Sequence, residues 1–160
     1  MNRRFTHVAL AVALVAVGLV VAPAPLLSHC QIPCGIYDDE ARISEMLEDT
    51  QTVEKAMTQI AELSGKDDAQ SQNQLTRWIL NKESHASNII TIVAEYFLTQ
   101  KLADVAPDAE GYDEYLTKLA THHAVMRAAM KAKQNVGAEY VTALRERVQA
   151  LGQVYGVHEH

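Results

Sequence analysis

From Ile43 onward the apolar residues recur at intervals of three and four, and that spacing restricts the chain to helices. Ile43, Met46, Leu47, Val53, Met57, Ile60 and Leu63, with Thr50 filling the gap, form one stripe, as on a helix that buries a single face. Asp38 and Asp39 stand where a helix start needs acceptors and negative charge, and Gly65 with Lys66-Asp67-Asp68 reads as a stop and a turn. The spacing predicts a first helix over 39–64. A second begins near Ala69 or Ser71 and runs to Lys101, with Leu75, Trp78, Ile79, Lys82, His85, Ile89, Ile92, Val93, Tyr96 and Phe97 on its stripe. Residues 89–93 are apolar on more than one face, which suggests burial on both sides or a subunit contact. The longest linker, 103–111, holds Pro107 and Gly111.

A third helix over 111–135 carries Tyr112, Tyr115, Leu116, Leu119, Met126 and Met130, and one of the adjacent His122 and His123 must face inward. A fourth, over 138–156, carries Val141, Leu144, Val148, Leu151 and Tyr155. Gly and Pro are scarce, 7 and 4 in 160 residues, which agrees with helix throughout. The expected architecture is all-α, an up-down-up-down four-helix bundle with an irregular N-terminal hook. Such a bundle says nothing about function.

What precedes the bundle falls into two parts. Residues 1–28 read as a leader to be removed: Arg3 and Arg4, then an apolar run from Val8 to Ala22, then Pro23 to Ser28. The run is short of the roughly 20 residues that span a bilayer, which favours a cleaved signal over an anchor. Ala22-Pro23-Ala24 fits a cleavage site superficially, but Pro25 would follow the cut; small Ser28 makes Ser28–His29 the second candidate. The arginine pair hints at twin-arginine export, although Phe5-Thr6 fits that motif poorly. Loss of Arg3 and Arg4 would take the formal charge from -6 to -8, a balance that argues against nucleic acid or anionic lipid as partner.

Residues 29–37, His-Cys-Gln-Ile-Pro-Cys-Gly-Ile-Tyr, hold both cysteines of the chain. Pro33 disfavours helix at Ile32 and Gly35 permits a sharp turn, so an irregular loop could bring Cys30 and Cys34 to one point. Three readings stay open on the residues alone: a local disulfide, an inert pair of thiols, or a metal site. A cut before His29 favours the last, since it frees an amine beside the His29 imidazole, the Cys30 backbone nitrogen and two thiolates. A planar set of two nitrogens and two sulfurs suits nickel(II) or copper(II) rather than zinc. Copper(II) would tend to oxidise the thiolates, which tips the balance to nickel.

The string resembles the opening of mature nickel superoxide dismutases, H-C-x-x-P-C-G-x-Y, in His29, Cys30, Pro33, Cys34, Gly35 and Tyr37. The resemblance continues through Asp38, Lys82-Glu83-Ser84-His85, Glu95-Tyr96-Phe97 and the stretch from His122-His123 to Lys133-Gln134. It implies a right-handed four-helix bundle over 38–160, a homohexamer, one nickel ion per subunit, and superoxide as substrate, disproportionated through a nickel(II)/nickel(III) cycle. It implies His29, Cys30 and Cys34 as metal ligands, a cis Ile32–Pro33 bond, and Tyr37 as the catalytic-site residue over the open face of the metal. It also implies a peptidase that cuts before His29. Gln31 departs from the Asp of some members, and Glu40, Glu45 and His85 are the candidates to orient the His29 imidazole. The long leader suggests export to the periplasm or exterior, with no stable membrane contact after processing; a leader that is only a trimmed pro-sequence would leave the protein cytoplasmic.

An anionic substrate meeting an acidic protein calls for local positive charge, for which Lys82, Lys131 and Arg77 are the candidates. His85 reads either as a core histidine bonded to a neighbour or as a group near the hook. Trp78, Tyr96 and Phe97 read as core or subunit contact, and His158-Glu159-His160 as a frayed tail. Two rival functions compete with the enzyme: a non-catalytic module that holds nickel or copper through the same hook, and a structural bundle with a Cys30–Cys34 disulfide. N-terminal sequencing of the native protein separates part of this. His29 is expected as the first residue, and any other start removes the amine ligand.

Overall fold

The computed structural model describes Gln31 and residues 34–157; the leader, His29, Cys30 and the Ile32–Pro33 bond lie outside the described residues, as does the 158–160 tail. The chain divides into two units, and the elements below belong to Pro33–His160. Four helices follow the expected order: α1 Asp39–Leu63, α2 Ala69–Thr91 with a π-helical continuation Ile92–Lys101, α3 Tyr112–Gln134 and α4 Ala138–Val154. Each packs against two others, α1 on α2 and α4, α3 on α2 and α4, which closes a four-helix bundle. Among the described residues, no helix is long and apolar enough to cross a membrane.

The starts of α1 and α2 are capped by acids, the expected Asp38 and also Asp68, which the sequence reading placed in a turn. Asp38 Oδ1 accepts from the Ala41 N–H at 2.9 Å, and Asp68 Oδ1 from the Ser71 N–H at 3.0 Å, each satisfying a donor that has no carbonyl within the first turn. Ile43, Met46, Val53 and Met57 of α1 meet Val141, Leu144, Val148 and Leu151 of α4 in a single core. Thr50 is buried on the α1 stripe because its hydroxyl donates to the Met46 carbonyl at 2.8 Å. Gly152 allows the close approach of α4 to α1, since a β-carbon there would lie 3.2 Å from Ile43 Cγ2.

Three features differ from the sequence reading. The inward face of α3 is His122, Val125, Ala129 and Ala132 rather than Met126 and Met130, which lie half-buried, while Leu116 is exposed. Small side chains let the backbone sit close to its neighbours, a preference that a search for large apolar residues misses. The first half of α2 leaves Ile79 and Leu80 exposed. Its last turns widen into a π-helix, in which the Leu102 N–H bonds back to the Phe97 carbonyl at 2.8 Å.

Of the histidine pair, His122 faces inward and His123 outward. Burial is the first cause that holds the His122 pKa below its ordinary 6.5. The unfolded chain therefore binds a proton near pH 6.5 that the folded chain refuses until lower pH, so this histidine's contribution is complete at higher pH and is lost as pH falls. The urea midpoint is expected to drop as pH is lowered from 7 through 6.5, and a midpoint that rises over that interval would contradict the assignment.

Candidate metal centre

Cys34 carries a free, half-buried thiol. Gly35 follows at φ +80 with open space around a would-be β-carbon, so its requirement is backbone conformation and not room. The chain then reaches Tyr37, which three contacts hold in place. Its hydroxyl donates to the Gln100 carbonyl at 3.1 Å. Its ring meets Tyr96 edge-on, 5.7 Å between centroids, and the Lys101 ammonium lies 5.1 Å from its own centroid.

The support behind Tyr37 is one carboxylate. Asp39, the first residue of α1, accepts from the Tyr96 hydroxyl at 2.7 Å and pairs with Lys101 Nζ at 2.8 Å. Burial and then the Asp39 hydrogen bond push the Tyr96 pKa upward, so this phenol stays protonated and remains a donor. Beside it an open groove is lined by Ile36, Tyr37, Asp38, Glu40 and Tyr155.

Lys101 and the Gln100 carbonyl escaped the sequence reading. Nothing in the spacing marks them, because their position depends on the wide π turn that ends α2. Lys82, by contrast, is not an exposed cation. It is buried, and its ammonium donates to the Ala132 carbonyl at 3.0 Å, the Asn135 carbonyl at 3.3 Å and the Lys133 carbonyl. These are carbonyls at the end of α3, which lack partners of their own and carry the negative end of the helix dipole. Arg77 lies 24 residues before Lys101 along α2, on the order of 30 Å away at helical rise. Lys131 is exposed on the last turn of α3, near the carbonyls that Lys82 caps.

His85 is half-buried and bonded to a neighbour on α1, as the first of its two readings has it. Its Nδ1 meets Asp49 Oδ1 at 2.5 Å, and Asn88 donates to Asp49 Oδ2 at 2.8 Å and to Glu45 at 3.3 Å. Glu45 also pairs with Arg42 at 2.6 Å. The result is a polar seam between α1 and α2 that includes buried Asp49, a residue with no distinguishing sequence signal. Glu40 stands apart from this seam, on the groove beside Tyr37.

The profile of the nickel-containing superoxide dismutase family matches residues 23–158. The chain belongs to that family. It is an oxidoreductase of the superoxide dismutase type, with nickel as its metal and superoxide as its substrate. Searches of curated proteins and of solved structures match nothing. The described donors fit a nickel-containing superoxide dismutase: Cys34 offers a soft sulfur ligand. No cluster of three or more His, Cys, Asp or Glu among the described residues offers a competing site.

Lys101 lies over the Tyr37 ring, beside the acidic residues Asp38, Asp39 and Glu40. Lys101→Met is expected to lower the superoxide rate at low salt by about tenfold and to flatten its dependence on ionic strength. Stopped-flow rates over a salt series check this; an unchanged salt slope would remove Lys101 as the source of attraction.

Proposed function

We propose that the chain is a precursor whose cleavage before His29 turns residues 29–37 into the nickel site of a superoxide dismutase. His29 would contribute its terminal amine and imidazole, Cys30 its thiolate and backbone nitrogen, and Cys34 its thiolate, with one nickel per subunit. Nickel held by these residues would supply one-electron chemistry between its divalent and trivalent states, the kind that disproportionation of superoxide to oxygen and hydrogen peroxide needs. The protein's part is to admit a small anion and restrict what else enters. The observation that carries the residue assignment is the free Cys34 thiol three positions before a tyrosine clamped by Gln100, Tyr96 and Lys101.

Tyr37 stands at the entry and narrows it. With its own proton donated to the Gln100 carbonyl, its phenolic oxygen keeps lone pairs free to accept from an ordered water or a protonated product. Lys101 draws the anion while its ion pair to Asp39 keeps the ammonium in position. Backbone N–H groups of the hook are the donors proposed to hold the anion close to the metal.

The leader supports export, and the proposed location of the mature enzyme is the periplasm or the exterior, or the cytoplasm if the leader is only a trimmed pro-sequence. The exposed side chains of Ile79, Leu80 and Leu116 support an assembly that covers them, for which a homohexamer is the proposal.

Cys34→Ser is the direct test. The variant is expected to lose bound nickel and dismutase activity while its helical dichroism and native mass stay those of the parent, six chains in each case. In the parent protein, nickel bound without dismutase activity would favour the non-catalytic binding module. Activity retained would show that the hook is not the site.

A further inference from the structure

A line of aromatic rings leads from Tyr37 into the bundle. Tyr37 and Tyr96 lie 5.7 Å apart between centroids, Tyr96 and Phe97 4.8 Å, and Phe97 and Tyr155 4.7 Å. Both inner phenols are hydrogen-bonded to a base. Tyr96 donates to Asp39 Oδ1 at 2.7 Å, and the Tyr155 hydroxyl lies 3.0 Å from His122 Nε2. His122 Nδ1 sits 2.7 Å from the Lys118 carbonyl, which has no proton to give. That contact assigns the hydrogen to Nδ1 and leaves Nε2 as a lone-pair acceptor for the Tyr155 O–H.

The protonation states suit this direction. Burial keeps His122 neutral near pH 7, and burial first, then Asp39, pushes the Tyr155 phenol up to about 12. Each phenol therefore begins with its proton, and His122 begins neutral. A phenol loses an electron readily only when its proton can leave at the same time, and a hydrogen-bonded base lets both leave together. Tyr37 lacks this provision, because its hydroxyl is held by a carbonyl, which is not a base at ordinary pH.

We propose that Tyr96 and Tyr155 form a proton-coupled electron relay that draws oxidising equivalents away from the hook. The Tyr155–His122 pair is its terminal radical site, and the Cys34 sulfur is the group it spares. The proposal rests on the hook being the site where hydrogen peroxide, the dismutation product, is formed. Peroxide takes two electrons and two protons, its O–O bond breaks, and two waters result. Tyr96 and Tyr155 each give one electron through the ring stack and one phenolic proton, to Asp39 and His122 respectively, and each becomes a neutral tyrosyl radical. The two protons taken up at the hook come from solvent, and the two left on Asp39 and His122 balance them. Tyr155 is half-buried and lines grooves that open to solvent. A small reductant such as a thiol or ascorbate can reach it there and return two electrons in turn, the first passing through Phe97 to Tyr96. Asp39 returns its proton to Tyr96, and His122 its proton to Tyr155.

The test uses nickel-loaded, processed protein mixed with excess hydrogen peroxide, freeze-quenched and read by electron paramagnetic resonance. A tyrosyl signal is expected. Tyr155→Phe keeps the ring stack and removes the phenol, and dichroism checks that it is folded. In this variant the signal is expected to fall several-fold, and oxidation of Cys34 to sulfinic and sulfonic acid, read by peptide mass, to rise several-fold. Initial dismutase turnover should not change. A second arm oxidises the metal-free chain with photogenerated tris(bipyridine)ruthenium(III) and should give the same Tyr155-dependent radical without nickel. An equal signal or equal Cys34 oxidation in Tyr155→Phe overturns the relay. A radical formed by light but not by peroxide in the nickel-loaded protein overturns its link to the hook. Failure to bind nickel would instead strike the hook assignment, and the light-driven arm would still decide whether Tyr155–His122 is a radical site.

Discussion

The geometry around Tyr37 depends on Asp39. This one carboxylate opens α1 and at the same time holds two groups from the end of α2, the Tyr96 hydroxyl and the Lys101 ammonium. A charged acceptor of two donors in a partly dry setting is worth more than a neutral hydrogen bond, because each donor would otherwise be left facing protein without a partner. The consequence is positional. The chain leaves the bundle at Asp38, and the residues just before it can approach only the surface that Asp39 has already fixed. Tyr37 therefore finds the Gln100 carbonyl, the Tyr96 edge and the Lys101 charge together.

The π-helical end of α2 is the second constraint. An α-helix advancing from Thr91 would place Gln100 and Lys101 on other bearings, because each wide turn takes in an extra residue. Here both Tyr96 and Phe97 are buried, and the Gln100 carbonyl and Lys101 still face Tyr37. Wide turns of this kind are commonly found at functional sites, where they re-aim side chains at some cost in backbone regularity. The same re-aiming brings Tyr96 and Phe97 into one contiguous ring contact with Tyr37 on one side and Tyr155 on the other.

Charge is distributed in a way that composition conceals. The chain is acidic, yet its buried lysine is placed at the end of α3, where Lys82 neutralises carbonyls of the helix terminus. Position on an apolar stripe was a sound sign that Lys82 is buried and a poor sign of what it does, since a stripe reports a face and not a partner. His85 shows the same limit: its place on the stripe was legible, but its bond to Asp49 belongs to a neighbouring helix. Charges on separate helices meet according to packing, and the spacing along either helix is silent about that.

By itself, the sequence determined the helix count, the boundaries to within one or two residues, the inward faces of α1 and α4, and the nine-residue string from His29 to Tyr37 that identified the family. These follow from local rules: periodicity, caps, and a short motif whose chemistry is carried by adjacent residues. The tertiary structure alone decided that α3 packs through alanines, that α2 ends in a π turn, that Lys101 stands over Tyr37, and that Tyr96 and Tyr155 each face a base. Each of these joins residues from different helices or depends on how closely two helices approach. Such distances are set by the packing of the whole bundle, which no local pattern encodes.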